Sequence, residues 1–340
     1  MQHKRFILAI AISAIILFAW SYFVPQKPIK PDNSNQAANA QPTATATPAT
    51  QPSVAPTPAT PQPQPVTPSV NTTPQRSLVV ETPLYEAKFD SKGAIATSWI
   101  IKMNKGTGTP EDPPRPLYSV GGDRNNPKPL QLISQEGLKQ DPVDAPFGLI
   151  TGDDVVDKFI VANNYRIDAG TGDESEIRID LKSGEKTVEF VLHDDATGLD
   201  VMKRITFKAD YYDVGLETKV TRNGNPLPKT QLVIGPSIGD QGVSHYSFYS
   251  VAPEGIGVAN GEVKRLLGTS IHTDEEGWIF KTKRPEGPNR YVVNGEVDWA
   301  GVGDTYFAMI VVPVQKPSGI EYRTIPYKFD AGGKVEDRFL

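Results

Sequence analysis

An all-β, two-sheet sandwich, carried on a single transmembrane helix and a disordered linker, is the fold class that this sequence predicts. Three observations predict it. The run from Phe6 to Val24 is apolar and uncharged, residues 25–76 are rich in Pro, Thr, Ala and Gln, and residues 77–340 alternate polar with apolar side chains in short runs broken by Gly, Asn, Asp and Pro.

The apolar run FILAIAISAIILFAWSYFV has nineteen residues. At 1.5 Å per residue a helix of that length measures roughly 29 Å, about the hydrocarbon thickness of a bilayer. A cleaved signal peptide is the alternative, but its apolar core is about 7–15 residues long and ends in small residues. Here the run ends in Trp20, Tyr22 and Phe23 before Pro25, rings suited to the headgroup interface. Residues 6–24 are therefore expected to stay attached as an anchor. Lys4, Arg5 and the terminal amine flank one end, and Lys27 and Lys30 follow the other, so the positive-inside bias is small. Length decides the orientation, because five residues precede the helix and more than three hundred follow it. Residues 1–5 are assigned to the cytoplasm and residues 77–340 to the far side.

Cysteine is absent, which excludes a lipobox, a disulfide framework and a thiolate metal site. A net charge of -5 without a basic stripe argues against a nucleic-acid partner. Over residues 25–76 the chain lacks aromatic and almost all large aliphatic residues, so it cannot offset the entropy of ordering. Some fifty residues of such coil reach about 40 Å, a spacer rather than a proline-recognition ligand. The Asn71-Thr72-Thr73 sequon is taken as a chance match.

From Ser77 the period changes to two. Tyr85, Ala87 and Phe89 alternate with Glu86, Lys88 and Asp90. Ile177, Ile179 and Leu181 are followed, after Ser183-Gly184, by Val188, Phe190 and Leu192, which predicts a hairpin. Tyr212, Val214, Leu216 and Val220 share a face, and Asn223-Gly224 closes that strand before residues 231–235. Further strands are expected over 77–82, 94–102, 201–208, 244–251, 277–282, 304–313 and 319–327. Residues 263–267 make the best short helix. The Gly/Pro-rich stretches 106–129 and 253–261 are expected as surface loops. With no second linker, residues 77–340 fit one large domain.

Catalysis would require convergent polar groups, and the four histidines are the first place to look. His3 flanks the apolar run. His193 precedes Asp194 and Asp195 at a strand end, His245 sits among Tyr246, Phe248 and Tyr249, and His272 precedes Thr273-Asp274-Glu275-Glu276. None has H-E-x-x-H spacing, and the last group reads as an acidic surface turn because EF-hand spacing is absent. Gly255-Ile256-Gly257 with Gly261 lacks the spacing and context of a phosphate loop, and serines near Asp or His in sequence read as ordinary turn residues. Spacing alone nominates no carboxylate pair. Trp278, Phe280, Tyr291 and Trp299 are the aromatic groups a saccharide cleft would use, but a sandwich core also needs such rings. No catalytic, cofactor-binding or metal-ligating residue is nominated, and the chain is not expected to be an enzyme.

Three stretches together resemble the N-terminal half of the Gram-negative YidC membrane insertase family: SLVVETPLYEAKFDSKGAIATSWIIK (Ser77 to Lys102), VMKRITFKADYYDVGLETKVTRNGNPLP (Val201 to Pro228) and VDWAGVGDTYFAMIVVP (Val297 to Pro313). They follow an apolar helix and a low-complexity linker in the family's order. The resemblance implies a β-super-sandwich periplasmic domain of mutarotase-like shape on the inner membrane. It also implies a role in inserting and folding membrane proteins, alone or with the Sec translocon. The implied partners are the lipid bilayer, Sec translocon components and nascent membrane proteins. Family members continue into five further transmembrane helices that form a polar groove, so a chain ending at Leu340 is expected to be the anchor and periplasmic portion of an insertase. Two other readings stand beside this one: a periplasmic carbohydrate-binding or mutarotase-like enzyme, and an envelope scaffold.

Overall fold

The computed structural model describes residues 71–340 apart from 120, 122–124, 141–143, 170–173, 239–252, 277–281, 305, 331–334 and 340. The expected anchor (6–24), the linker as far as residue 70, the whole of the expected strand over 244–251 and residues 277–281 of another lie outside that set. No helix among the described residues is long and apolar enough to cross a membrane.

The described residues are mostly β-strand with few helices, as the alternation predicts. One five-stranded sheet runs in the order Leu130–Gln131, Ile95–Ile101, Tyr85–Asp90, Ser77–Glu81, Glu176–Asp180. A second runs Asn225–Pro226, Gly215–Arg222, Leu199–Lys208, Glu185–Asp194, Arg166–Asp168. Every second residue of the central strands is buried, so that Tyr85, Ala87 and Phe89 meet Phe190, Leu192, Ile205 and Phe207 in one core. Phe89 stands at its centre, with ring centroids 5.1 Å from Phe147, 5.7 Å from Phe190, 5.8 Å from Phe207 and 6.3 Å from Trp99. Rings from both sheets thus meet on one side chain, and edge-to-face pairs of this kind add stability beyond their area.

The remainder of the chain goes beyond the two expected sheets. Glu262–Leu267, Glu254–Ala259, Val297–Gly303 and Ala308–Val311 form a four-stranded antiparallel sheet, with a small core of Ala259, Val297 and Ala300. Arg290–Asn294 pairs with Gly319–Arg323, and Pro326–Asp330 with Val335–Phe339. Before the first strand, Asn71 Nδ2 donates to Asn164 O (3.0 Å) and Asn164 Nδ2 donates to Thr73 O (2.8 Å), a reciprocal clasp. Arg76 Nε donates to Glu174 O (2.7 Å).

Several sequence expectations are corrected. Glu176–Asp180 and Glu185–Asp194 are not a hairpin: the first runs parallel to Ser77–Glu81, and the second pairs with Leu199–Lys208. The chain changes sheets at Leu181–Gly184, where Leu181 N donates to Glu81 O and Gly184 takes φ +73°. Alternation sets which face is buried and leaves the partner undetermined. Residues 263–267 lie in the strand Glu262–Leu267 rather than a helix. Asn260-Gly261, with φ 53° and 75°, turns that strand back on Glu254–Ala259, the same signal that Asn223-Gly224 gives correctly. Glu254–Ala259 therefore replaces the loop expected over 253–261. The expected strand over 304–313 shortens to Ala308–Val311, because Asp304 Oδ1 accepts from the amides of Tyr306 and Phe307 and turns the chain. The one over 319–327 divides into Gly319–Arg323 and Pro326–Asp330.

A helix that periodicity did not reveal spans Asp154–Ala162; Asp153 caps it by accepting from the amides of Val155 and Val156, and Val156 and Ile160 form its buried face.

Lys203 joins these parts. Its side chain is buried in the core, and Nζ donates to the carbonyls of Gly93 (2.7 Å), Ala94 (3.1 Å) and Phe147 (2.7 Å). All three acceptors belong to residues with positive φ, at 71°, 47° and 69°. An ammonium has three protons to donate, and here each has a carbonyl. The Tyr165 ring lies 5.2 Å from Nζ, a cation–π contact. No carboxylate among the described residues pairs with it, and burial pushes the Lys203 amine down from 10.5 to about 7.

Between those two values the unfolded chain holds a proton that the folded chain releases, so stability rises with pH across that window. Chemical denaturation between pH 7 and pH 10 should show this rise, and Lys203→Met should flatten it. The same substitution should lower stability by about 1–3 kcal/mol for each carbonyl left unsatisfied. A variant with unchanged stability and slope would remove Lys203 from this role.

Candidate functional site

The two histidines among the described residues do not converge. His193 is the penultimate residue of the strand Glu185–Asp194 and is exposed, with Nδ1 2.6 Å from Asp200 Oδ1 and Nε2 2.8 Å from Asp195 Oδ1. Asp200 is its cross-strand partner. Behind the ring, the buried Asp194 carboxylate accepts from the amide and hydroxyl of Thr197. Hydrogen bonds to Asp195, then to Asp200, hold the His193 pKa above its ordinary value. With both ring nitrogens engaged by carboxylates, His193 clasps a turn and has no free nitrogen with which to act as a base.

His272 ends the short helix Gly268–His272 in another part of the fold, its Nδ1 2.6 Å from Asn289 Oδ1 and its ring 5.0 Å from that of Phe339. His3 and His245 lie outside the described residues. At the acidic stretch after His272, the main chain is organised by Arg284: its amide donates to Asp274 O, and its guanidinium donates to the carbonyls of Ser270, Ile271 and Thr273 while lying 5.1 Å from the Tyr291 ring. A cation at a helix C-terminus satisfies carbonyls that have no partner within the helix. No group of three or more His, Cys, Asp or Glu that could hold a metal occurs among the described residues. Of the aromatic set singled out in sequence, Trp278 and Phe280 lie outside the described residues, and Tyr291 and Trp299 are only half-buried. Tyr85, Phe89, Trp99, Tyr165, Phe190 and Phe207 fill the core instead.

The feature with the geometry of a binding site is a cleft of ≈ 610 Å³ between the segment 229–237 and the four-stranded sheet. Ile150, Leu232, Ile234, Ile271, Val297 and Ile320 supply apolar walls. Asp144, Glu321 and Arg323 of its lining are tied into ion pairs: Arg323 Nη1 lies 3.1 Å from Asp144 Oδ2, Arg323 Nε 2.6 Å from Glu321 Oε1, and Arg290 Nη2 2.7 Å from Glu321 Oε2. Burial pushes the Glu321 carboxyl up, but the hydrogen bonds and charges of Arg290 and Arg323 outweigh it and hold the group below its ordinary range. Glu321 therefore stays ionised, unsuited to donating a proton. Such a cleft binds by burying apolar groups within a charged border. Nothing in the composition of its strands marks it, because its walls come from segments as distant as Ile150 and Ile320.

Gly255 and Gly257 on one cleft-side strand have a packing reason for being glycine. A Cβ at Gly255 would overlap the Tyr322 ring, and one at Gly257 would come within 2.7 Å of its hydroxyl. The glycines form a trough in which the buried Tyr322 lies.

The model of the YidC periplasmic domain family matches residues 77–332. Relatives named membrane protein insertase YidC are similar across almost the whole chain. The one from Maridesulfovibrio salexigens is 26% identical over 316 residues, 92% of this chain and 49% of the relative. That from Syntrophus aciditrophicus is 24% identical over 330 residues, 93% of this chain and 51% of the relative. The protein from Pelobacter propionicus is 29% identical over 315 residues, 92% of this chain and 48% of the relative. The chain thus spans about half the length of the curated relatives it matches.

Two outcomes follow from this geometry. Gly255→Ala should destabilise the domain by about 1–3 kcal/mol through overpacking, and combining it with Tyr322→Ala should recover part of that loss; strictly additive effects in a double-mutant cycle would refute the trough. The His193 proton titration, followed by NMR, should lie above the ordinary histidine value and fall back in Asp195→Asn/Asp200→Asn. Since the folded-state pKa is the raised one, the small stabilisation from this clasp is complete below the unfolded value near 6.5 and is lost as pH rises through the folded value.

Proposed function

Because this chain belongs to the YidC periplasmic domain family, we propose that it is the anchored, export-side portion of a membrane protein insertase. The continuous family match over residues 77–332 carries this reading. In it, residues 1–5 are cytoplasmic, residues 6–24 span the inner membrane, residues 25–70 act as a spacer, and residues 77–340 fold in the periplasm with residues 71–76, expected as linker, hydrogen-bonded onto them. The insertion step itself is assigned to the half of the relatives' length that this chain does not span.

The folded domain acts by binding, without catalysis or a cofactor. Its partners are nascent membrane proteins, Sec translocon components and, through the anchor, the lipid bilayer. An apolar cleft with an ion-paired border suits an extended segment that has left the bilayer and exposes apolar side chains. Burial at about 25 cal/mol per Å² supplies the driving force, and ordering costs keep the complex reversible. Among the described residues, the histidine geometry gives no support to a mutarotase-like enzyme, which would need a free imidazole beside a carboxylate in an aromatic cleft.

The chain has no cysteine, so Thr57→Cys introduces a unique thiol. Expressed in a Gram-negative host, this variant should remain in carbonate-washed membranes and react with an impermeant maleimide from the periplasmic side. Release of a shortened soluble protein would overturn the anchor. Photo-cross-linkers placed at Ile234 and Ile320 should capture nascent membrane proteins or Sec components, and their failure to do so would overturn the assigned partners.

A further inference from the structure

We propose that the edge strand Ala308–Val311 pairs with the same strand of a second copy of this chain. It forms one edge of the four-stranded sheet, beside Val297–Gly303. Among the described residues, the other edge strands of three or more residues in the three larger sheets carry charges: Glu176, Arg178 and Asp180; Arg166 and Asp168; Glu262, Lys264 and Arg265. Such charges are the usual protection against edge-to-edge pairing. Ala308–Val311 reads AMIV and has none. Four large hydrophobic residues stand exposed within nine positions here, Tyr306 at 64%, Ile310 at 50%, Val312 at 72% and Val314 at 101%.

The backbone of this edge is oriented for pairing. Asp304 N donates to Phe307 O (2.8 Å), one bond of a hydrogen-bonded position that continues the register of the ladder past Gly303 and Ala308, the Phe307 amide being taken by Asp304 Oδ1. Hydrogen-bonded and non-bonded pairs alternate along an antiparallel ladder. Met309 and Val311 therefore spend their amides and carbonyls on the inner neighbour, while those of Ala308 and Ile310 point to the open edge. Pro313 falls on the inward set and does not block it.

The exposed residues are also self-complementary. A two-fold axis at Ile310 sets Ile310 against its counterpart and Ala308 against Val312, so each apolar side chain on the exposed face meets another. This is an isologous contact, closed at two copies. A strip this short buries less than the roughly 1,200–2,000 Å² of a standard interface, so the dimer is weak and depends on concentration.

The test uses the full chain in detergent micelles, where each introduced cysteine is unique. Opposed residues of a hydrogen-bonded antiparallel pair lie about 5.5 Å apart between Cα atoms, within disulfide reach. Ile310→Cys should give a disulfide-linked species of doubled mass on mild oxidation. Val263→Cys, exposed on the opposite edge, should not. Ala308→Cys and Val312→Cys should each fail alone and cross-link when mixed. In sedimentation of the otherwise unchanged chain, Ile310→Lys should abolish the concentration-dependent dimer while leaving the circular dichroism and thermal unfolding as they were. A folded Ile310→Cys chain that stays monomeric at every concentration would overturn the proposal. So would equal cross-linking at Val263→Cys, self-linking of Ala308→Cys, or capture of a different protein at position 310.

Discussion

The burial of one ammonium governs how the two large sheets are held together. Lys203 projects from the centre of one sheet into the core and takes the carbonyls of Gly93, Ala94 and Phe147. These left-handed residues turn the chain between neighbouring elements, and a turn of that hand directs its carbonyls away from the strand ladders. Without a donor they would be desolvated and unsatisfied, at a cost comparable with a sizeable share of a domain's stability. While the amine is protonated every proton on it is used, and burial still lowers its pKa to about 7. Around it, Phe89 gathers rings from both sheets and from the loop that also supplies the Phe147 carbonyl. Packing and hydrogen bonding thus converge on the same loop residue.

Strand positions were legible where one face is buried. Tyr85–Asp90 and Leu199–Lys208 alternate cleanly because one side meets the core. Pairing was not legible: Ile177 and Val188 have the same period, yet their strands belong to different sheets. Lys203 occupies an inward position in a strand whose neighbours Val201 and Ile205 are apolar, and its register with them signals burial. Its acceptors lie 56 or more residues away in sequence, which spacing cannot reveal. Gly255 and Gly257 looked like a loop because their reason for being glycine is a tyrosine more than sixty residues later.

The same distinction applies to the site. Sequence directed attention to histidines and acidic clusters, whose side chains prove to be engaged in local structure: His193 in a turn and His272 beside Asn289. The apolar cleft is assembled from distant segments, each unremarkable alone. A resemblance spread over three long stretches carried more functional information than any single residue type, because a surface that binds by burial leaves no short chemical signature.

The Asn71–Asn164 clasp has a mechanical meaning. It grips the chain six residues before Ser77–Glu81, a strand bonded on both sides, antiparallel to Tyr85–Asp90 and parallel to Glu176–Asp180. Tension drawn through the residues that precede Asn71 is first shared with Asn164 and then with the Arg76–Glu174 contact. A pull along the strand axis would load two hydrogen-bond ladders in shear, so that their bonds must yield together rather than unzip singly. The first strand of the domain would thus resist such a pull through the whole of both ladders at once.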